Sequence, residues 1–134
     1  EGTEFDIVFF GTVVEAFSEK MTPLGKDSRR RAFEYVDSTE ISGYTNISEG
    51  LDKAFSFAGL IDKLVKSGVD TIFLLSDGMP TAGVTDPDGL CRHVAATNHL
   101  KKIVIHTVAI EPTSDSERLM KRIARENGGS YAKR

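Results

Sequence analysis

The chain of 134 residues has a single cysteine and no long apolar stretch. One cysteine, Cys91, excludes an internal disulfide and a zinc site built from cysteines. No apolar run approaches the roughly 20 residues that a membrane-spanning helix needs. A strong excess of either charge is also missing, since the formal net charge is −3. We therefore expect no membrane segment in this chain, and no nucleic acid or anionic membrane as its main partner.

The most informative stretch is an apolar run that ends in a carboxylate. Thr71–Ser76 is followed directly by Asp77, a glycine and a nearby proline. Consecutive apolar and β-branched residues are typical of a strand buried on both faces of a parallel sheet. Because open α/β sheets bind their ligands beyond the carboxyl ends of their strands, Asp77 is a candidate functional carboxylate.

Several other runs have the composition of strands. Phe5–Phe10 and Val13–Phe17 flank Gly11-Thr12. A two-residue connection that begins with glycine suits a type II′ turn, so these runs are predicted to form an antiparallel hairpin. The run Ile103–Ile110, apolar apart from His106 and Thr107, predicts a second strand, and another strand is predicted to begin at Ser130.

Two helices are predicted between the hairpin and Thr71. The first is short: Asp27 or Ser28 can cap it, and it extends to about Val36. Its inward side chains are predicted to be Ala32, Phe33 and Val36. The second is long, with Asn46 as its N-cap. Its apolar residues recur at helical spacing up to Gly68, and they are Ile47, Leu51, Ala54, Phe55, Ala58, Ile61 and Val65.

Capping signals define the remaining helix ends. Glu49 stands where it can complete a capping box at the start of the long helix. Asp86 followed by a proline predicts a third helix, which continues to about Asn98. Ser114 and Glu117 form a second capping box, and the fourth helix should end at the glycines that follow Asn127.

The predicted elements alternate between strands and helices along the whole chain. This order predicts an α/β fold of the Rossmann-like, doubly wound type, with a mostly parallel sheet and one antiparallel edge strand. No internal repeat, low-complexity tract or linker divides the sequence. We therefore expect residues 1–134 to form a single domain.

Two oxygen-bearing side chains should meet at one end of this sheet. Asp77 follows a strand, and Thr45 lies in the loop that leads into the long helix. If the crossover is right-handed, as nearly all are, both lie at the carboxyl side of the sheet. A hydroxyl and a carboxylate are hard oxygen ligands suited to Mg²⁺, Mn²⁺ or Ca²⁺, and Mg²⁺ needs few protein ligands because it keeps several waters. A site with only these two protein ligands would bind a divalent cation weakly.

These motifs resemble those of a known family. Gly43-Tyr44-Thr45-Asn46-Ile47 and Leu75-Ser76-Asp77-Gly78-Met79-Pro80 resemble the second and third motifs of the von Willebrand factor type A domain, most closely its bacterial forms. The resemblance extends along most of the chain. It implies a metal-ion-dependent adhesion site, in which a divalent cation, expected to be Mg²⁺, binds an acidic residue of a protein partner. Thr45 and Asp77 would be its metal ligands.

The first motif of that family, Asp-x-Ser-x-Ser at the end of the first strand, is absent from this sequence. In the family this strand lies in the middle of the sheet. The resemblance therefore implies an N-terminally incomplete domain, without its first strand and helix and with an incomplete adhesion site. Unpaired strand edges are templates for association, so self-association through them is a further expectation.

Three residues around the predicted site could contact a partner. By position these are Tyr44, Met79 and Thr81. Exposed tyrosine and methionine are enriched at protein interfaces. The leading hypothesis is accordingly a protein-binding module for cation-dependent interaction or adhesion, and not an enzyme.

Two alternatives stay open at this point. The absent first motif favours a metal-free, structural domain within a larger assembly. An Asp77-dependent, phosphatase-like hydrolase is the weaker alternative, because Met79 stands where a second carboxylate would serve as acid and base. The sequence also has no glycine-rich phosphate loop.

Overall fold

The structure is a computed structural model, and it describes residues 2–40, 42–58 and 68–134. These residues form seven strands and four helices. The strands are β1 (Glu4–Phe5), β2 (Val8–Phe10), β3 (Val14–Ala16), β4 (Thr22–Pro23), β5 (Thr71–Ser76), β6 (Val104–Ala109) and β7 (Gly128–Lys133). The helices are α1 (Lys26–Ser38), α2 (Ile47–Ser56), α3 (Pro87–Asn98) and α4 (Ser114–Glu126).

Three strands form a parallel sheet in the order β5–β6–β7. β5 and β6 pair in register, with Ile72 opposite Ile105 and Leu74 opposite Thr107. The strands predicted at Thr71–Ser76 and Ile103–Ile110 are confirmed as β5 and β6. The strand expected from Ser130 begins two residues earlier, at Gly128. Strands that alternate with helices and pair in parallel confirm the predicted α/β class.

One face of this sheet carries the hydrophobic core. Ile72, Leu74 and Ile105 pack with buried residues of three helices. These are Ile47, Leu51 and Phe55 of α2, Leu90, Cys91 and Val94 of α3, and Leu119, Met120 and Ile123 of α4. Thr107 lies on the same face, and its hydroxyl donates a hydrogen bond of 2.8 Å to the Met120 carbonyl.

The opposite face of the sheet is open. Phe73 and Leu75 are 67% and 55% exposed, and Ile110 just beyond β6 is 37% exposed. The prediction that Thr71–Ser76 is buried on both faces is therefore wrong for the described residues. The physical reason is that burial alternates along β5, with only Ile72, Leu74 and Ser76 covered by the helices of the core face.

The first part of the chain forms two small sheets of its own. β1 pairs with β4, and β2 pairs with β3, both antiparallel. The predicted hairpin is confirmed for β2 and β3, but the run Phe5–Phe10 is divided between β1, which pairs with β4, and β2. The predicted type II′ turn is also wrong. Phe10 lies opposite Val14, which leaves a three-residue connection, and the φ angle of Gly11 is not positive.

The hairpin lies between two helices. Tyr35 of α1 packs against Phe9 and Phe17, with ring centroids 5.3 Å and 5.4 Å apart. On the other side Phe10 lies against α2 so closely that a Cβ added at Gly50 would stand 2.8 Å from the Phe10 Cβ. Helices therefore lie on both sides of the strands, as in a doubly wound fold, but β2–β3 and β5–β6–β7 remain separate sheets.

Three predictions about α1 need correction. Gly25, and neither Asp27 nor Ser28, is its N-cap, because the Ser28 hydroxyl at the third helical position accepts the Gly25 N–H at 2.8 Å. Ala32 is buried as predicted, but Phe33 and Val36 are 65% and 43% exposed. Of the three, only Ala32 lies on the face that α1 turns to the protein.

The other helices follow their capping signals, with small shifts. Asn46 caps α2 as predicted, but the helix ends at Ser56, and the predicted continuation through Ile61 and Val65 lies outside the described residues. α3 is confirmed. Thr113, one residue before the predicted cap, is the N-cap of α4. No helix within the described ranges has the length and apolar character that crossing a membrane requires.

Candidate functional site

A cleft of about 820 Å³ opens between β2 and the carboxyl end of β5. Both predicted metal ligands, Thr45 and Asp77, line it, and so does Tyr44. We call it the carboxyl-end cleft. The topology that sequence analysis assumed thus brings the two side chains to one cavity, although they are far apart in the chain.

A tight turn at the end of β5 holds Asp77 at the surface. Ser76 is only 8% exposed. Its hydroxyl donates to the Gly78 carbonyl at 3.2 Å and accepts the Gly78 N–H at 3.4 Å. The chain therefore turns immediately after the strand, which leaves the side chain of Asp77 exposed.

Hydrogen bonds on both sides fix the loop that carries Thr45. Its N–H donates to the Thr81 hydroxyl at 2.8 Å, and its carbonyl accepts the Thr81 N–H at 2.9 Å. On the other side, the Tyr44 N–H donates to the Thr12 hydroxyl at 3.4 Å. Gly43 has a φ of +87°, a left-handed conformation that favours glycine.

The start of α2 anchors the loop that follows Asp77. The Asn46 side chain accepts the Glu49 N–H at 3.2 Å, so the predicted cap forms, but the reciprocal bond of a capping box does not. The Ser48 hydroxyl donates to Asn46 at 3.1 Å and accepts the Val84 N–H at 3.0 Å. The loops that carry Thr45 and Asp77 are thus fastened to one helix start.

The oxygen atoms of the two predicted ligands are uncommitted. Within the described part of the chain, neither the Thr45 hydroxyl nor the Asp77 carboxylate has a hydrogen bond or ion pair with another residue. Their chemistry fits a hard, partly hydrated cation. The described residues contain no group of three or more His, Cys, Asp or Glu side chains that could hold a metal ion. Thr45 and Asp77 therefore supply two of the oxygen ligands that a divalent cation would need, and not a complete site.

The three predicted partner contacts lie in different surroundings. Tyr44 is 59% exposed and lines the cleft. Thr81 is exposed, and its hydroxyl already accepts the Thr45 N–H. Met79 is half-buried and packs against the hydrophobic core. Contact of all three with a partner stays a prediction.

Sequence analysis missed one carboxylate of the cleft. Asp6 lines it, and one of its oxygens accepts the Ile7 N–H at 2.7 Å and the Ser18 N–H at 3.4 Å. Its other oxygen, Oδ2, is buried without a hydrogen-bond partner. Burial raises the pKa of Asp6 above its ordinary value, although these backbone hydrogen bonds and Lys53 act in the opposite direction. The sequence feature that could have indicated this residue is a single charged side chain inside the otherwise apolar run Phe5–Phe10.

Comparison with known families gives a match along nearly the whole chain. The von Willebrand factor type A domain family matches residues 1–133. The resemblance inferred from the motifs around Thr45 and Asp77 is therefore confirmed.

Individual relatives are more distant and much longer. The chain is 26% identical to inter-alpha-trypsin inhibitor heavy chain H1 of Mesocricetus auratus over 96 residues, which are 69% of this chain and 10% of the relative. It is 25% identical to the Homo sapiens heavy chain H1, with the same shares of both chains. It is 27% identical to the uncharacterized protein YfbK of Escherichia coli over 97 residues, 72% of this chain and 16% of the relative. Since both mammals and a bacterium contribute relatives, the expected bacterial type stays a prediction.

Proposed function

Because the chain belongs to the von Willebrand factor type A domain family, we propose that it is a protein-binding module that uses a divalent cation. The cation would lie in the carboxyl-end cleft and bind an acidic side chain of the partner protein. One observation carries the proposal: Thr45 and Asp77 line the same cleft, and the oxygens of both side chains have no hydrogen-bond or ion-pair partner among the residues that the structure describes.

The chemistry of the two ligands supports this mode of binding. A cation held by a neutral hydroxyl and one carboxylate keeps most of its positive charge, so it attracts an incoming carboxylate. Mg²⁺ suits the site best, because it retains several waters and needs few protein ligands; Mn²⁺ and Ca²⁺ have the same preference for oxygen. With only these two ligands the affinity should be weak.

Exposed residues around the cleft would complete the interface. Tyr44 offers an exposed aromatic ring at the rim. Thr81 lies on the neighbouring loop, and Met79 would contribute the exposed part of a side chain that otherwise packs inward. The proposed partner is a protein that presents an acidic residue. We propose no catalytic step for the site.

A metal-free role has one observation in its favour. Within the described residues no cluster of three or more metal-ligating side chains exists. In that alternative the chain is a structural domain of a larger assembly, and the carboxyl-end cleft binds its partner without a cation or not at all.

Cation binding separates these two functions. Mn²⁺ titration followed by electron paramagnetic resonance should detect weak binding, and Asp77→Asn should weaken it at least about tenfold because the only charged ligand is lost. Thr45→Val should have the same direction of effect. The matched control is Asp70→Asn, which removes an exposed carboxylate at the opposite end of β5 and should leave Mn²⁺ affinity unchanged. Equal affinity of the parent and the Asp77→Asn variant, or no binding at all, would support the metal-free role.

A further inference from the structure

Thr81 connects the two loops that carry the predicted cation ligands. It follows Asp77 closely in the chain, and its side-chain hydroxyl accepts the Thr45 N–H at 2.8 Å. Its own N–H donates to the Thr45 carbonyl at 2.9 Å, and the Ala82 N–H donates to the same carbonyl at 3.3 Å. These hydrogen bonds join the backbone of one ligand to the loop of the other. We call them the Thr81 clamp.

The segment between Asp77 and Thr81 is short and well anchored. Met79 packs against the hydrophobic core. Pro80 is buried, and its ring restricts the backbone φ angle to about −65°. Moving Thr81 relative to Asp77 would therefore require Met79 to leave the core or the proline to leave its buried position. Thr81 is thus held at a fixed place beside Asp77.

The next part of the same loop packs on the start of α2 through Gly83. Its φ is +67°, and any side chain at this position would collide with the side chains of Asn46 and Ser48. These contacts fix the helix start that follows Thr45, but they do not bond Thr45 itself. Among the described residues, the Thr81 hydroxyl is the one side-chain group that bonds the backbone of Thr45.

The backbone of Thr45 determines where its hydroxyl lies. The oxygen is attached to Cβ, so one torsion, χ1, separates it from the backbone, and β-branching restricts that torsion. Mg²⁺ requires its oxygen ligands at about 2.0–2.1 Å. A site with two protein ligands has no further ligand to compensate for a misplaced one. Holding the backbone in advance raises affinity, because less freedom is then lost on binding.

This inference rests on the proposed cation-dependent function. We propose that Thr81 is a positioning residue of the cation site: its hydroxyl holds the Thr45 backbone at a set separation from Asp77, so that both side chains can bind one cation. The role uses the acceptor oxygen of the hydroxyl. Serine should therefore replace threonine, whereas valine, which has the same shape and no acceptor, should not. A partner contact would differ, because it would leave cation affinity unchanged when no partner is present.

Mn²⁺ affinity, measured by electron paramagnetic resonance without a partner, tests this role. Thr81→Val should weaken Mn²⁺ binding about three- to tenfold, the effect of one net hydrogen bond, and Thr81→Ser should recover affinity to within about twofold of the parent. The matched control is Thr85→Val, the same change at an exposed threonine of the same loop. The Thr85 hydroxyl has no hydrogen bond with another described residue, so this variant should bind Mn²⁺ like the parent.

Solvent exchange of the Thr45 amide, measured by nuclear magnetic resonance in the same variants, shows whether the Thr81 clamp has opened. Thr81→Val should accelerate this exchange at least about tenfold, and the other two variants should leave it unchanged. The urea midpoints of all variants should match that of the parent, because Thr81 is exposed and water can replace its hydroxyl. A loss of Mn²⁺ affinity that is accompanied by a lower midpoint would show a structural role only and overturn the proposal.

The same measurements separate this inference from the function on which it rests. If Asp77→Asn weakens Mn²⁺ binding but Thr81→Val binds like the parent, the positioning role is wrong and the cation-dependent function stands. Equal weakening by Thr81→Val and Thr81→Ser would also overturn the positioning role, since the methyl group and not the hydroxyl would then matter. If the parent binds no Mn²⁺, the proposed function fails and this inference fails with it.

Discussion

The two halves of the strand layer differ in how their backbones are paired. The β5–β6–β7 sheet has strands of six residues, and Ile105 in its central strand has no exposed surface. The strands β1–β4 are two or three residues long, and all three residues of β2 are half-buried. A strand that is paired on both edges and covered by helices on one face excludes water from the side chains of that face, whereas a two-stranded hairpin is marginal alone and depends on what packs against it.

The first part of the chain, β1–β4 with α1, shares no sheet with β5–β6–β7 among the described residues. We call it the hairpin half, and aromatic contacts stabilise it. Phe5 and Phe17 stack with ring centroids 5.9 Å apart, and the Arg31 guanidinium lies 5.8 Å above the Phe17 ring. Its link to the other half is the contact between Phe10 and α2 at Gly50. Regions with few buried contacts open more easily than a protein's core. We therefore expect the hairpin half to contribute less to the free energy of unfolding.

The largest expected difference between the halves comes from truncating one side chain in each. Ile105→Ala should lower the free energy of unfolding by about 2–5 kcal/mol, because it leaves a cavity among fully buried residues. Val8→Ala in the half-buried strand β2 should cost less than about 1.5 kcal/mol. Urea denaturation of both variants measures the two losses. Equal losses would show that the hairpin is as tightly packed as the central sheet.

A buried amide in the better-packed half gives the next largest effect. Asn98 is 6% exposed. Its side chain donates to the Ile103 carbonyl at 2.7 Å and accepts the Ile103 N–H at 2.8 Å, so it joins the end of α3 to the start of β6. Asn98→Ala should cost about 1–3 kcal/mol, because it leaves buried backbone groups unpaired.

The control for this variant is a neighbouring hydroxyl with a local partner. Thr97 is half-buried, and its hydroxyl donates to the His93 carbonyl within the same helix at 3.0 Å. Thr97→Ala should change the free energy of unfolding by less than about 0.5 kcal/mol. If the urea midpoints of both variants shift equally, the bridge between α3 and β6 contributes no specific stability.

The features that sequence could predict are those set by local chemistry. The apolar runs at β5 and β6, the Asp86 cap with its following proline, and the alternation of elements all appear in the structure as expected. The shared location of Thr45 and Asp77 followed from topology alone, because a right-handed crossover into β5 places the start of α2 at the carboxyl side of the sheet.

The features that sequence missed depend on which surfaces meet in three dimensions. An apolar strand predicts burial, but Phe73 and Leu75 are exposed because no described helix lies over them. The hairpin connection has three residues where the Gly11-Thr12 dipeptide predicted two. Its length is set by the pairing of Phe10 with Val14, which the dipeptide does not determine. The role of Asp6 could not be predicted, since Ser18, one of its backbone partners, comes close to Asp6 only when β2 pairs with β3.

The smallest predicted effect concerns Asp6 in the hairpin half and depends on pH. Burial raises the pKa of Asp6 in the folded protein above its ordinary value of 3.8. The folded state therefore binds more protons than the unfolded state as pH rises from 3.8 to the folded pKa, and stability falls across this window. Asp6→Asn abolishes this titration, so the stability of the variant relative to the parent should increase from pH 3 to pH 7.

Asp27 on α1 provides a control of opposite sign. A hydrogen bond from Arg30 lowers the pKa of Asp27, so the stability that it contributes is lost as pH falls from 3.8 through the folded pKa. Asp27→Asn should therefore reduce stability relative to the parent at pH 7 more than at pH 3, and only slightly, because the pair is exposed. Thermal unfolding of both variants across this range measures the two slopes. If the slopes have the same sign, burial does not control the pKa of Asp6, and its unpaired oxygen is accessible to water.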